Sequence, residues 1–111
     1  MPVKKPLEFL GTSLRDLKAF SASARREAGY QLDLVQDGLE PADWKPFKSV
    51  GPGVCEIRIA EQDGAFRLMY VASFADAVYV LHCFVKKTQQ TALGDVRLAK
   101  KRFDDLIRRK S

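Results

Sequence analysis

Apolar and polar residues alternate along three consecutive segments in the middle of the chain. In VCEIRIA (54–60) Cys55, Ile57 and Ile59 fall on one face of an extended chain, and Glu56 and Arg58 fall on the other. AFRLMYV (65–71) alternates in the same way, whereas AVYVLHCFV (77–85) is apolar on both faces. A period of two is typical of half-buried strands, and a strand that is apolar on both faces is typical of the centre of a sheet. The pattern therefore predicts three neighbouring strands.

The segments on both sides of these strands show the spacing of helices. Thr12 or Ser13 could cap a helix through SLRDLKAF (13–20). A second helix is predicted over residues 23–37, ended by Gly38. Its apolar face is Ala24, Ala28, Leu32, Val35 and Leu39. A third helix is predicted over residues 95–109, with the apolar face Val96, Ala99, Phe103 and Leu106, and Ile107 beside it.

Two remaining segments complete the order of elements. PLEFLG (6–11) is a short strand candidate. EPADWKPFKSVGPG (40–53) contains three prolines and two glycines, which interrupt any periodicity and predict a loop. The chain therefore reads β-α-α-β-β-β-α, and its 111 residues are expected to form one domain, residues 1–111.

Composition and charge limit the classes of function. Apolar residues make up 46% of the chain, and no apolar run is long enough to span a membrane. The N-terminal MPVKKPLEFLG does not have the pattern of a secretory signal. Cys55 and Cys83 lack metal-type spacing, so we expect reduced thiols in a cytoplasmic protein. The net charge of +5 favours polyanions or acidic proteins as partners.

The strand register makes two arginines informative. If Ala60 pairs with Ala65 across EQDG, then Arg58 lies directly opposite Arg67. A two-residue turn at Asp63-Gly64 would shift the pairing by two residues and keep both arginines on one face. Like charges in this position are destabilising, so the arginines are either balanced, with Glu56 as one candidate, or presented to an anion. Glu56 is expected to orient Arg58 rather than to act as a base. The rigid forks of guanidinium groups suit phosphate.

The junction FVKKTQQT (84–91) adds two lysines at the end of the third strand. In a regular strand only one of Lys86 and Lys87 could share the face of the arginines, but a turn could bring both to the rim of the same site. An ordinary solvated strand end is the alternative.

Single aromatic and imidazole groups also have two or more interpretations. His82 lies between apolar residues, so it is either a structural histidine, an acid or base, or a substrate contact. Whether it shares a face with Arg67 depends on the register after the loop ASFADA. Tyr70 and Tyr79 fit the core, although either could bond phosphate. Trp44 fits a hydrophobic plug over the helix hairpin, or a platform that stacks on a base.

A family resemblance follows from these segments. LHCFVKKTQQT followed by DVRLAKKRFDDL resembles the signature of the RelE/ParE superfamily of bacterial toxins, in its HigB-like, phage-derived branch. SLRDLKAF, GYQLDLV and FRLMYVA agree in order, so the resemblance covers nearly the whole chain. It implies an α+β fold, with a small twisted antiparallel sheet, two N-terminal helices and a C-terminal helix.

The resemblance also implies a function. Members of this superfamily are the toxins of two-gene toxin–antitoxin systems, and most RelE-like members are metal-independent ribonucleases that cut mRNA, usually on the ribosome. The implied partners are a cognate antitoxin of the helix-turn-helix, HigA-like type, mRNA and the ribosome. Oligomerisation would be mainly through the antitoxin, and no cofactor or membrane is expected. ParE-like inhibition of DNA gyrase is the alternative, and a degenerate subunit that only binds antitoxin is a third.

Metal-free RNA cleavage requires cations at the phosphate and groups that transfer protons. A lysine crowded by other cations has a lowered pKa and could be the base. The predicted catalytic residues are Arg58, Arg67, Lys86, Lys87 and His82. The predicted RNA-binding residues are Lys48, Thr88, Gln89, Lys100 and Lys101. The charge on the C-terminal helix could also be a solvated face, or dock ribosomal RNA or an acidic antitoxin surface.

Overall fold

Three helices and five strands make up the computed structural model, which describes residues 4–111. The helices are α1 (Ser13–Lys18), α2 (Ala22–Gln36) and α3 (Leu93–Lys110). The strands are β1 (Leu7–Phe9), β2 (Trp44–Pro46), β3 (Val54–Glu61), β4 (Gly64–Val71) and β5 (Val78–Lys86). The predicted α+β class is confirmed. The interpretation of the N-terminal segment rests in part on residues 1–3, which lie outside the described residues.

The sheet has the order β1-β5-β4-β3-β2. Strands β2 to β5 are antiparallel, as predicted, whereas β1 pairs in parallel with β5. The direction of β1 was not fixed by a hairpin turn, because its partner is the last strand of the chain. Among α1, α2 and α3, the helices of residues 4–111, none combines the length and the apolar character needed to cross a membrane.

Strand β2 corrects the prediction of an irregular loop over residues 40–53. Trp44–Pro46 pairs with the start of β3 and forms the outer edge of the sheet. A proline is tolerated there because an edge strand can leave one side unbonded, so the missing N–H breaks no ladder. The pairing matters for the site because it brings Lys45 next to Glu56.

The register of the β3–β4 hairpin is the first of the two that the alternation allowed. Ala60 pairs with Ala65, and Arg58 lies opposite Arg67. The ladder continues to Glu61 and Gly64, so the turn itself is Gln62-Asp63, rather than a four-residue loop or an Asp63-Gly64 turn. Gly64 has φ +150°, a backbone conformation that a glycine adopts without steric cost.

Both faces of the sheet are covered by helices. One face packs against α1 and α2, through a cluster that includes Leu17, Phe20, Leu32, Ile57, Leu68 and Val80. The other face packs against α3, through a cluster that includes Val54, Met69, Leu81, Phe84, Phe103 and Leu106. Most of the predicted site lies on this second face, on strands β3, β4 and β5.

The end of helix α2 differs from the prediction at one residue of its apolar face, Leu39. Gly38 adopts φ +79°, and the N–H groups of Gly38 and Leu39 bond to the carbonyls of Val35 and Leu34. The predicted helix end is thus confirmed. Because the chain turns away at Gly38, Leu39 leaves the apolar face and is 58% exposed, so its assignment to that face was wrong.

Candidate functional site

Three rows of side chains cross the α3 side of the sheet at the end that carries the β3–β4 turn. Residues paired across neighbouring strands share a face, so each row is read from the register. The first row is Lys45, Glu56, Met69 and His82. The second row is Arg58, Arg67 and Phe84. The third row is Ala60, Ala65 and Lys86. The predicted site residues of β3, β4 and β5 therefore meet on one surface.

A bulge in β5 places His82 in this arrangement. Met69 pairs with His82, but Tyr70 pairs with Val80, so Leu81 is the extra residue. Without the bulge the register would differ by one residue, which would move His82 to the opposite face. The question left open by the ASFADA loop is thereby answered: His82 shares the face of Arg67.

The two arginines of the second row have different environments. Arg58 is partly exposed, and its Nε and Nη2 donate to Asp43 Oδ1 at 3.0 and 2.8 Å. Arg67 has a side chain only 13% exposed; its Nη1 donates to the Phe66 carbonyl at 3.0 Å, and its Nε lies 3.8 Å from Glu56 Oε1. The expectation that Glu56 orients Arg58 was therefore wrong: Asp43 holds Arg58, and Glu56 lies beside Arg67.

Glu56 is fully buried between two cations. Its Oε1 lies 3.8 Å from Arg67 Nε and 3.9 Å from Lys45 Nζ. Within residues 4–111, neither carboxylate oxygen of Glu56 has a hydrogen-bond partner, and Arg67 Nε has none either. Sequence reasoning missed Lys45, because three strand residues that contain a proline give too short a pattern to predict β2.

His82 is almost fully buried, at 5% exposure, and its imidazole is bonded to the following helix. Its Nε2 lies 2.7 Å from Asp95 Oδ1, in the first turn of α3, and its ring stacks on Phe84 with centroids 4.8 Å apart. An acidic side chain is also favourable at a helix N-terminus. These contacts support the structural interpretation of His82 more than the catalytic one.

The KKTQQT segment forms the rim of the site. Lys86 ends β5 on the face of the arginines and is half-buried, whereas Lys87, Thr88 and Gln89 are exposed. Lys86, Lys87 and Thr88 line a cavity of about 110 Å³ with Phe84 and the start of α3. In the described part of the chain, neither lysine is in an ion pair.

Three predicted RNA-binding lysines lie away from the rows. Lys48 is exposed and follows Phe47, whose N–H bonds to Val54 at the opposite end of β3 from Arg58. Lys100 and Lys101 lie on α3, 3.7 and 3.3 Å from Asp104 and Asp105 respectively. The structure therefore brings Arg58, Arg67, Lys86, Lys87 and His82 together, but not these three lysines.

Two of the other aromatic candidates, Tyr70 and Tyr79, belong to the core, and Trp44 is half-buried on the edge strand. Trp44 pairs with Ile57 and so faces α2, where it lines a cavity with Val35 and Tyr70. Burial raises the pKa of the Tyr70 hydroxyl above its usual value. Tyr79 is buried and donates to Asp76 at 2.6 Å. None of the three side chains lies in the three rows.

Residues 15–104 match the family model described as phage-derived protein Gp49-like (DUF891). The match includes all three rows and the KKTQQT segment, and it spans well over half of the chain. The chain belongs to this Gp49-like family, which is linked to the toxins of toxin–antitoxin systems. No curated protein matches it.

Proposed function

We propose that this Gp49-like protein is a toxin of the RelE/ParE superfamily, HigB-like branch, and that it cuts mRNA without a metal ion and so inhibits translation. The observation that supports this best is the row in which Arg58 and Arg67 lie side by side, with Lys86 in the neighbouring third row. Two guanidinium groups and a lysine on one rigid sheet form a site for a phosphodiester.

The proposed chemistry is attack of the RNA 2′-hydroxyl on the neighbouring phosphorus, which forms a 2′,3′-cyclic phosphate and breaks the bond from phosphorus to the 5′-oxygen. A base takes the proton of the 2′-hydroxyl, and an acid gives a proton to the leaving 5′-oxygen. Negative charge grows on the phosphate oxygens in the transition state, and cations already in position stabilise it. Arg67 has this role, because it is central in the row and its Nη1 donates to the Phe66 carbonyl. Arg58, fixed by Asp43, binds a flanking phosphate.

Proton transfer and RNA contact are assigned to the rim. A group that exchanges protons with substrate must reach it, and Lys86 and Lys87 reach the surface whereas His82 is buried. Thr88 and Gln89 donate hydrogen bonds to phosphate or sugar. Lys100 and Lys101 on α3 belong to a wider contact with RNA on the ribosome.

The proposed partner is a helix-turn-helix, HigA-like antitoxin, encoded beside the toxin and responsible for its oligomerisation. Mapping of mRNA 5′ ends after brief induction tests the proposal directly. New 5′ ends should appear within minutes with the wild-type chain and be absent with Arg67→Lys, which keeps the charge but loses the planar fork. Growth arrest with intact mRNA and altered DNA supercoiling would instead support a gyrase-directed toxin.

A further inference from the structure

The buried Glu56 carboxylate has no part in the proposed chemistry, although it lies in the first row of the site. Two cations, Arg67 and Lys45, approach the same oxygen of this carboxylate at 3.8 and 3.9 Å. Lys45 comes from the edge strand β2 and Arg67 from β4, so Glu56 links the two strands that flank β3. Glu56 is thus the common contact of two cations from different parts of the chain.

The distances from Glu56 Oε1 to Arg67 Nε and to Lys45 Nζ are both longer than hydrogen bonds. A buried charge is costly unless it is paired and hydrogen-bonded, yet within residues 4–111 both oxygens of Glu56 and the Nε of Arg67 make no hydrogen bond. The carboxylate therefore attracts the two cations without occupying their N–H donors. The Lys45 side chain is 44% exposed, so its ammonium group can reach a ligand.

We propose that Glu56 is a positioning residue, which holds Arg67 and Lys45 as a pair for one RNA phosphate, and that Lys45 is a phosphate-binding residue. The assignment of RNA as the ligand rests on the proposed function. The pairing extends the cationic surface from the second row to β2, on the side of Arg58 away from Lys86. It also explains why a carboxylate is placed beneath a site for anions.

Net charge alone predicts that removing the Glu56 carboxylate strengthens RNA binding. Glu56→Gln removes one negative charge beside the site, so attraction of RNA by charge alone would become stronger. A positioning role predicts instead that RNA cleavage becomes slower while RNA binding is not weakened. A displacement of about 1 Å in a group that acts on the transition state can reduce the rate about 10²-fold.

The first experiment compares kcat and KM for cleavage of a short mRNA on ribosomes between the wild type, Glu56→Gln and the control Glu61→Gln. Glu61 lies on the same strand but on the opposite face. We expect kcat to fall at least about tenfold in Glu56→Gln, with KM unchanged or lower and the pH profile unchanged in shape, and Glu61→Gln to match the wild type. Unchanged kcat would overturn the positioning role, and loss of one limb of the pH profile would make Glu56 the base instead. Glu56→Asp should recover part of kcat.

The second experiment needs no cleavage. The affinity for a 2′-O-methyl RNA strand is measured against salt for the wild type, Lys45→Ala and the control Lys18→Ala, an exposed lysine on α1. Loss of one phosphate contact should reduce the slope of log K against log salt by about 0.7 in Lys45→Ala only. In a Glu56→Gln background, Lys45→Ala should change the slope less. Equal slopes for all variants, or no RNA binding by the wild type, would overturn the proposal.

The two experiments separate this proposal from the proposed nuclease. A wild-type protein that cuts no RNA, but shows a salt slope that depends on both Lys45 and Glu56, would reject the nuclease and keep the phosphate-binding pair. A wild type that cuts RNA with a Lys45-independent slope and a Glu56-independent kcat would keep the nuclease and reject the pair.

Discussion

Replacing Arg67 by alanine should destabilise the fold as well as the site. Arg67→Ala removes the cation that lies 3.8 Å from the fully buried Glu56 and leaves Lys45, at 3.9 Å, as the one remaining ion-pair partner among residues 4–111. If Arg67 served only to bind phosphate, this variant would lose toxicity without unfolding. The burial of Glu56 changes that expectation, because an inactive variant could also be a partly unfolded one.

The expected loss of stability follows from the ion pair between Arg67 and Glu56. Two unit charges about 4 Å apart attract by about 4 kcal/mol at an effective dielectric constant of about 20, and desolvation offsets much of this attraction. Removing one partner of a buried pair costs about 3–5 kcal/mol, since the other charge stays buried. Lys45 remains nearby, so we expect about 3 kcal/mol, the lower end of this range. In a domain of this size that loss lowers Tm by about 15 °C.

Urea unfolding of four proteins measures this effect: wild type, Arg67→Ala, Glu56→Gln and the double variant. The double variant should regain at least half of the free energy of unfolding lost in Arg67→Ala, because it has no buried charge to leave unpaired. It should remain non-toxic, which separates the loss of activity from the loss of stability. Arg58→Ala is the matched control, since its partner Asp43 is exposed and the expected cost is below about 1 kcal/mol.

Two results would refute this reasoning. If Arg67→Ala is no less stable than Arg58→Ala, then Glu56 is not a buried anion that depends on Arg67. If the double variant is no more stable than Arg67→Ala, then the loss arises from packing of the arginine stem and not from the charge of Glu56.

Three further predictions concern the rim, the C-terminal helix and one thiol. A folded Lys86→Ala, Lys87→Ala double variant should lose toxicity but keep antitoxin binding. Undiminished mRNA cleavage would mean that both lysines belong to an ordinary solvated strand end. The bond to Lys110 lowers the pKa of the Asp76 carboxyl to about 2. The stability that this carboxylate contributes is therefore complete above the pKa of an unfolded aspartate, about 4, and is lost as pH falls through about 2. Urea midpoints of wild type and Asp76→Asn should thus differ at neutral pH and converge in strong acid; a constant difference would contradict this. Burial raises the pKa of the Cys83 thiol to about 12, so reagents should label it only as the chain unfolds, and rapid native labelling would show that it is accessible.

Alternation of apolar and polar residues was sufficient to predict the core of the fold and the centre of the site. A shift of one residue would turn every buried side chain of β3 or β4 to the other face, so burial fixes the face of each residue but allows a shift of two residues. Ala60 pairs with Ala65, which is the first of the two registers that the alternation allowed, and the opposed Arg58 and Arg67 follow from that pairing. The same reasoning needs no family resemblance, because it uses only the sequence of one hairpin.

The parts that the sequence could not predict depend on contacts between distant segments. Asp43 reaches Arg58 across 15 positions of sequence, and the β2 strand that brings Lys45 to Glu56 is only three residues long. No local pattern signals either contact. Sequence reasoning therefore paired Glu56 with Arg58, its neighbour on the same strand, whereas the register places it beside Arg67.

The bulge in β5 also affects how the KKTQQT segment is held. By placing His82 on the α3 side, it allows the bond to Asp95 that fixes the first turn of α3 against the sheet. Residues 87–92 then connect two fixed points, the strand that ends at Lys86 and the helix that begins at Leu93. A six-residue connection held at both ends has few conformations available. Lys86, in the third row, is held by the sheet next to the arginine row, as a preformed anion site would require.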